Sequence, residues 1–280
     1  MKDTFMSEEE RALREIRGLV LEVKDDLFAK LLRRRNLTYL EILKAKEVLR
    51  TYRDEGLSDQ MEAVLSRYMR WSYDEGLRKI DALLDTDLVK ALGLTPNVTA
   101  DTLGITAIFA APKIITVAVS LLDALEAKLL LAMTGERTPA EVVNMLRKEF
   151  DTSQVNAERI VRTELKGMQN QGEEVRIQQA FTAARRQGIP AEKYWIHSSG
   201  QAVGFRKGKK RAKYMPRPHH KAMHGVTVKD GEKFALVAPD GITYRIDGPH
   251  DSILPAGEVI NCYCDRGLRI KRETVAARTA

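Results

Sequence analysis

Imidazole and thiol side chains are concentrated near one end of this 280-residue chain. All five histidines and both cysteines come after Tyr194, and most of them lie in two short segments, residues 217–225 and 255–264. Imidazole and thiolate groups are the usual protein ligands of zinc and the usual components of a nucleophilic site. These two segments are therefore the first candidates for a metal site or a catalytic site.

The spacing within the two segments suits a metal ion. His220 and His224 are four residues apart, so both imidazoles share one face if the segment is helical. Cys262 and Cys264 are two residues apart, so on an extended strand both sulfurs point the same way. Together they would form a closed tetrahedral site for a structural zinc ion. Core packing with hydrogen bonding, and a catalytic cysteine–histidine pair, remain open as alternatives.

A long run of positive charge precedes and overlaps the first segment. No acidic residue occurs between Lys193 and Lys229, and a polyphosphate backbone is the natural partner of such a surface. Its densest part contains Arg206, Lys207, Lys209, Lys210, Arg211 and Lys213. Gly204 and Gly208 favour a loop over a groove-reading helix, so the run predicts nonspecific binding to double-stranded DNA. The alternative is a solvated loop that only carries charge.

The first half of the chain reads as helices. Ser7 and Thr38 are each followed three residues later by glutamate, which is the capping-box pattern of a helix start. After the first of these, apolar residues at three- and four-residue spacing predict one buried face: Leu13, Ile16, Val20, Val23, Leu27 and Leu31. Gly56 is a predicted helix end, Gly76 a predicted irregularity, and residues 93–99 a predicted linker.

Two further helices are predicted before any strand. Thr138 and Pro139 mark the start of the first, and the second spans about residues 153–187 and ends at Gly188. Glu164 lies on the apolar stripe of the second helix and needs a cation there, because an unpaired buried charge is costly. Its expected partner is Arg159, Arg162 or Arg217. A structural ion pair and a general acid or base are the two interpretations of this glutamate.

Strands are predicted only in the last third. Asp230-Gly231 and Asp240-Gly241 separate three short alternating runs, residues 226–228, 234–237 and 242–246, which predicts a small antiparallel meander. Residues 194–197 and 268–270 are candidate additional strands. The predicted class is α+β, with a predominantly helical N-terminal half and a C-terminal part made of a long helix and the meander.

The cysteine count and the apolar stretch indicate the cellular compartment of the protein and its relation to membranes. Two cysteines cannot make a disulfide framework, and no export signal is apparent at the N-terminus, so a reducing compartment is expected. The apolar stretch at residues 105–122 contains Pro112 and Lys113 at its centre, where a charge is costly in lipid. We therefore expect a helix buried in protein and no stable membrane span.

Four motifs, in order, resemble the phage Mu F-like minor head proteins, which are the head-morphogenesis family of tailed phages. The first is the helix segment 157–164, AERIVRTE, followed by Asn170-Gln171-Gly172. The second is Trp195, the third is the run from Arg217 to Gly225, and the fourth is residues 256–264, AGEVINCYC. The chain has Tyr263 between the cysteines, where the family often has arginine.

The resemblance implies a domain structure and a set of motif residues. Residues 1–137 would be a helical, portal-docking region, residues 138–273 the head-morphogenesis domain, and residues 274–280 a tail. The motif positions to which the resemblance assigns a structural role are Arg162, Thr163, Glu164, Arg217, His220, His224 and Asn261.

The function implied is that of a minor capsid protein inside the phage head, present in the host cytoplasm during assembly. It would bind the portal protein and packaged DNA, and act in head assembly, genome packaging or DNA ejection. Major capsid or scaffolding protein are further candidate partners. The family signature establishes no enzymatic activity, so we do not expect an enzyme. The alternative is a metal- or cysteine-dependent nuclease acting on DNA.

Overall fold

A computed structural model describes residues 2–31, 38–84, 90, 92–93, 100–197, 217–260 and 262–270. Within the described residues, the first elements are the helices α1 (Lys2–Leu31), α2 (Tyr39–Asp54), α3 (Leu57–Leu83), α4 (Ala100–Met133) and α5 (Pro139–Arg186). The remaining elements are β1 (Ala191–Ile196), α6 (Pro218–Ala222), β2 (Thr227–Lys229), β3 (Phe234–Val237), β4 (Thr243–Ile246), α7 (Ala256–Val259) and β5 (Asp265–Ile270). The predicted α+β class, with a long helix and small antiparallel sheets after the helical half, is confirmed.

The chain divides into two compact units, each assembled from two separated parts of the sequence. Unit 1 comprises Met1–Arg70 and Ala100–Glu164, and unit 2 comprises Trp71–Thr99 and Leu165–Ala280. Helices α3 and α5 therefore each contribute one part to unit 1 and the other to unit 2. The domain limits implied by the family resemblance remain predictions.

The core of unit 1 is built from apolar helix faces. All six residues of the predicted stripe on α1, from Leu13 to Leu31, are buried, as a period of 3.6 residues requires. Helix α4 adds Ile114, Leu121 and Leu125 to the buried set. Among the described residues, we find no helix that combines the length and apolarity needed to cross a bilayer.

The helix starts were predicted with mixed success. Thr38 forms the expected capping box, in which Oγ1 accepts from the Glu41 backbone N–H (3.3 Å) and the Glu41 carboxylate accepts from the Thr38 N–H (2.7 Å). The capping box predicted at Ser7 is wrong, because α1 already begins at Lys2. The predicted linker at residues 93–99 lies almost entirely outside the described residues.

The two helices predicted after residue 137 are one helix of 48 residues. Thr152 and Ser153 resemble a helix start in sequence, but the Thr152 hydroxyl instead donates to the Lys148 carbonyl one turn earlier (2.9 Å), a bond compatible with an uninterrupted helix. The predicted end at Gly188 is confirmed. This residue has a φ of 65°, and the following amide of Ile189 closes the helix on the Ala184 carbonyl (2.9 Å).

Two glycines let α3 and α5 approach closely within unit 2. A Cβ at Gly76 would lie 2.0 Å from the Gln169 carbonyl oxygen, and one at Gly172 would lie 2.2 Å from the Tyr73 carbonyl oxygen. Neither distance is compatible with a side chain. The irregularity predicted at Gly76 is wrong, because α3 continues regularly through it. The glycine serves helix packing, and Gly172 of the first family motif has the same role.

Replacing Gly172 with alanine should therefore destabilise unit 2, because the backbone of α3 must move to admit the methyl group. The expected loss is about 1–3 kcal/mol in the free energy of unfolding, measured by denaturant titration of the full chain. Gly167→Ala is the matched control on the same helix, since its Cβ would meet only the His250 ring, at 3.8 Å. Equal losses in the two variants would contradict a close helix crossing at Gly172.

The strands form two antiparallel sheets in unit 2. One sheet has the order β2-β1-β5, with Lys193 opposite Val228 on one side and Leu268 on the other, and the second pairs β3 with β4. The predicted hairpin around Asp240-Gly241 is confirmed. The predicted pairing around Asp230-Gly231 is wrong, because β2 pairs with β1. The turn itself is present, with Gly231 at a φ of 80°, but it leads the chain from one sheet to the other.

Candidate metal centre

The histidines and cysteines meet at one end of β1, in unit 2. Strand β1 places Trp195 in the core, where its ring packs edge-on against His220 (5.7 Å between ring centroids) and Phe234 (5.6 Å). The backbone of Trp195 also pairs with the chain just after α6, accepting from Gly225 N–H (2.8 Å). This holds α6 beside the strand that leads to His197.

Three of the four predicted ligands lie together. The Nδ1 atom of His220 is 3.5 Å from the sulfur of Cys262 and 3.7 Å from the sulfur of Cys264. All three side chains are buried, with 2–3% of each residue exposed. Their ligand atoms lie within 4.8 Å of one another, an arrangement that could hold a metal ion.

His224 lies outside this group. Helix α6 ends at Ala222, so the four-residue spacing no longer places His224 on the same face as His220. Its side chain is exposed, and its Nδ1 accepts a hydrogen bond from the backbone N–H of His197 (3.0 Å). His224 thereby positions the residue that follows β1.

The sequence analysis did not identify His197, although this histidine also lies beside a cysteine sulfur. Its Nδ1 is 3.4 Å from the Cys264 sulfur. Burial lowers the pKa of this imidazole, which favours the neutral form that binds metals. No spacing rule could have found it, because 22 residues separate it from His220 in sequence.

Glu258 on α7 fixes the orientation of His220. Its carboxylate Oε2 is 2.8 Å from His220 Nε2 and 2.7 Å from His219 Nε2. Burial raises the pKa of Glu258, but the hydrogen bonds from the two imidazoles outweigh it and hold this pKa below the usual range. An ionised carboxylate only accepts, so Nε2 of His220 carries the hydrogen and Nδ1 is left as the acceptor that faces the sulfurs.

The two cysteine side chains are hydrogen-bonded to each other. The Cys264 thiol donates to Cys262, which lowers the pKa of Cys262 well below that of a free thiol, with further help from His220 and His250. The same bond, together with burial, raises the pKa of Cys264. The hydrogen bond therefore shifts the pKa values of the two buried thiols in opposite directions, with Cys262 as the more acidic of the two.

Two further residues of the motif segments, Arg217 and Asn170, hold the surrounding backbone. Arg217 donates through Nη2 to the carbonyl oxygens of Ile260 (2.8 Å) and Gly257, which ties α6 to α7. Asn170 on α5 donates through Nδ2 to the Cys264 carbonyl (3.2 Å). The six basic residues from Arg206 to Lys213, and Asn261, lie outside the described residues.

Glu164 does not join this centre. It is half-buried in unit 1 and pairs with Lys113 of α4 (2.7 Å), in place of any of the three predicted arginines. Arg162 lies instead near Glu9 (3.4 Å) and Glu158 (3.5 Å). The ion-pair interpretation of Glu164 agrees with this contact, although the cation comes from the apolar segment that was not considered as its source.

A buried ionic network beside the centre was also missed. Lys79 of α3 lies 2.8 Å from the Glu173 carboxylate and 2.9 Å from that of Asp265, and Lys166 also pairs with Asp265. Glu173 is fully buried, and its second oxygen accepts from the Arg266 backbone N–H (3.1 Å). Charged residues on a helix are usually solvated, so the sequence offers no signal that these are internal.

No known protein family, curated protein or solved structure matches this chain. Function is therefore inferred from the residues and their contacts.

Proposed function

We propose that this chain is a minor head protein of a tailed phage, bound to the portal inside the head and in contact with packaged DNA. It would act in head assembly, genome packaging or DNA ejection, without an enzymatic activity of its own. The observation that carries the proposal is that Asn170 of the first motif and residues of the other three motif segments contact one another in unit 2.

These contacts explain why the motif residues occur together. Trp195 packs on His220, His220 binds Glu258, and Asn170 binds the backbone of Cys264. Asn170 and Cys264 are 94 residues apart along the chain, yet both lie in unit 2. Residues 157–164 of the first motif lie in unit 1. Residues that hold one structure together are what a family signature is expected to contain, and these contacts support the proposal for the motif segments that lie in unit 2.

Binding to DNA is proposed from charge. The basic run belongs to a chain whose net charge is +7. Nonspecific binding to phosphates requires a high density of positive charge, and it does not require an element that reads the bases. A protein inside a filled head lies against DNA at high density, so weak nonspecific binding is sufficient there.

Docking onto the portal is proposed for the helical part. Helix α2 exposes two leucines three residues apart, Leu40 at 59% and Leu43 at 40%, and α4 exposes Val119 and Leu130. Apolar residues on exposed helix faces are suited to packing against another helical protein.

The cysteine–histidine cluster is proposed as a structural zinc site. Zinc prefers sulfur and imidazole nitrogen as ligands, and His220, Cys262 and Cys264 place one nitrogen and two sulfurs within 4.8 Å of one another. The nuclease alternative has less support, because its candidate nucleophile and base, Cys262 and His220, are 3% and 2% exposed. Substrate DNA would need access to atoms that lie inside the core.

The experiment that tests the proposal is the protein composition of purified, DNA-filled particles of a phage that encodes this chain. We expect the chain among the particle proteins, at low copy number relative to the major capsid protein.

A further inference from the structure

We infer that the metal ion binds to Nδ1 of His220, on the side of the two cysteine sulfurs, and that Glu258 is a positioning residue that holds the ring through Nε2. The inference rests on the structural zinc site of the proposed function and is independent of the virion role. It chooses between two candidate centres that share His220, and it assigns a role in metal binding to a carboxylate that is not itself a ligand.

Each ring nitrogen of His220 faces a different group of possible metal ligands. Nδ1 faces the sulfurs of Cys262 and Cys264, at 3.5 and 3.7 Å. Nε2 faces the Glu258 carboxylate, which also meets the imidazole of His219. In each group the candidate ligand atoms lie within 4.8 Å of one another, so closeness alone does not show which side of the ring holds a metal ion.

The spacing of the atoms distinguishes the two sides. Zn–S and Zn–N bonds of about 2.3 and 2.05 Å place a sulfur and a nitrogen about 3.6 Å apart at the tetrahedral angle. A carboxylate oxygen and a nitrogen on one ion lie about 3.4 Å apart at that angle, and about 2.9 Å apart even at a right angle. Both cysteine sulfurs are close to the first spacing from His220. The Glu258 oxygen is only 2.7 Å from His219 Nε2 and 2.8 Å from His220 Nε2, which are hydrogen-bond distances.

The charges around Glu258 also disfavour a metal ion on its side of the ring. The Oε2 atom that meets both imidazoles lies 3.7 Å from Nε of Arg217. Arginine is always charged, so a divalent cation on the same oxygen would lie beside the guanidinium and be repelled by it. On the other side of the ring, Cys262 and Cys264 are buried and offer sulfur, which is among the ligands that zinc prefers.

The chain segment that contains both cysteines also supplies the carboxylate. Helix α7 places Glu258 at Nε2 of His220, and Cys262 and Cys264 follow it in the chain and meet Nδ1. Trp195 packs edge-on against the same ring. The imidazole is thus held between these groups with Nδ1 directed at the sulfurs, which is the orientation that a metal ion on that side requires.

A carboxylate in this place is expected to raise the affinity of the histidine for metal. A metal-binding histidine usually donates its second ring N–H to a carboxylate, a backbone carbonyl or water, which fixes the ring orientation and makes the ligating nitrogen more basic. Loss of such a partner typically weakens metal binding by about 10- to 100-fold. Glu258 therefore contributes to metal affinity without touching the ion.

Three variants of the full chain test the assignment, with Zn²⁺ affinity measured by competition with a chelating indicator dye. Glu258→Ala should weaken zinc binding by about 10- to 100-fold. Glu258→Gln should weaken it by at most about fivefold, because the amide oxygen can still accept from Nε2 of His220. His219→Ala is the matched control, since it removes the other imidazole on the same carboxylate oxygen, and it should change the affinity by at most about threefold.

Two measurements on the unaltered chain do not depend on the variants folding. Cobalt in place of zinc gives an intense near-ultraviolet charge-transfer band when thiolates are ligands. Two-bond ¹H–¹⁵N correlation spectra of the zinc-loaded chain distinguish a histidine ring that binds metal through Nδ1 from one that binds through Nε2. We expect the thiolate band, and a His220 ring that binds through Nδ1 and carries its hydrogen on Nε2.

The outcomes separate the inference from the proposal beneath it. Losses in Glu258→Gln and His219→Ala as large as that in Glu258→Ala, or a His220 ring bound through Nε2, would overturn the inference and place the metal on the carboxylate side. Equal zinc affinity in Glu258→Ala and the unaltered chain would overturn Glu258 as a positioning residue, while leaving a zinc site in place. Failure of the unaltered chain to retain zinc or cobalt would overturn both the inference and the zinc proposal. None of these results bears on whether the protein is found in particles.

Discussion

Binding of the purified protein to duplex DNA is expected to weaken about a thousandfold between about 50 and 200 mM salt. Each phosphate contacted by a lysine or arginine releases a condensed counterion, so affinity falls as a power of salt concentration. With the six basic residues from Arg206 to Lys213 each neutralising one phosphate, the logarithmic slope is about −5. Fluorescence anisotropy with a labelled duplex measures this slope, and unrelated duplex sequences should give the same value.

A matched pair of variants locates the contact. Replacing the six basic residues with glutamine should reduce the affinity for DNA to near the limit of detection. Any binding that remains should depend only weakly on salt concentration. The control replaces six exposed cations of unit 1 with glutamine: Arg14, Lys44, Arg50, Arg70, Lys148 and Arg159. Both variants lower the formal net charge from +7 to +1, since each loses six positive charges. Equal losses of affinity in the two would mean that overall charge, and not the run, binds DNA.

Replacing Lys79 with methionine is expected to cost about 3–5 kcal/mol in the free energy of unfolding. Burial lowers the pKa of Lys79, but the carboxylates of Glu173 and Asp265 outweigh it and raise this pKa above the usual value. Removing the ammonium group leaves Glu173, which is fully buried, without its nearest cation. Removing one partner of a buried ion pair destabilises a protein far more than replacing both partners with apolar residues does, because the remaining charge is left unpaired.

The control is the same substitution in an exposed pair of the same unit. Lys233 lies 3.1 Å from Asp247, with both side chains more than 40% exposed, and Lys233→Met should cost at most about 1 kcal/mol. Urea unfolding of the full chain measures both variants. A Lys79→Met loss no larger than that of the control would show that the network does not hold unit 2 together.

The same pair predicts a pH dependence. The pKa of Lys79 is higher in the folded state than in the unfolded chain, so its stabilising contribution is complete below the ordinary lysine pKa and is lost as pH rises past it. The Lys79→Met variant should lose stability less steeply than the unaltered chain in that alkaline range.

Local patterns predicted local structure well. The buried face of α1 follows from apolar spacing alone, and the caps at Thr38 and Thr138 follow from residues three apart that bond to each other. The same logic failed at Ser7, which lies inside α1, because polar residues that could start a helix are also compatible with its interior. A capping pattern is evidence for a start only where the chain is not already helical.

Contacts between residues far apart in the chain could not be predicted from local sequence patterns. The turn at Gly231 specifies that the chain reverses, but whether β2 then joins β1 or β3 depends on packing that involves the whole of unit 2. His197 reaches the cysteines only because β1 and β5 pair side by side. The cation of Glu164 likewise comes from a different helix. In each case the partner is set by tertiary structure, which one sequence does not display.

The direct test of the minor head protein proposal is mass spectrometry of purified, DNA-filled particles of a phage that encodes this chain. The proposal predicts the chain in those particles together with the portal protein, at a small fraction of the amount of major capsid protein. Detection of portal and major capsid proteins without this chain, in particles purified after it was expressed during infection, would contradict it.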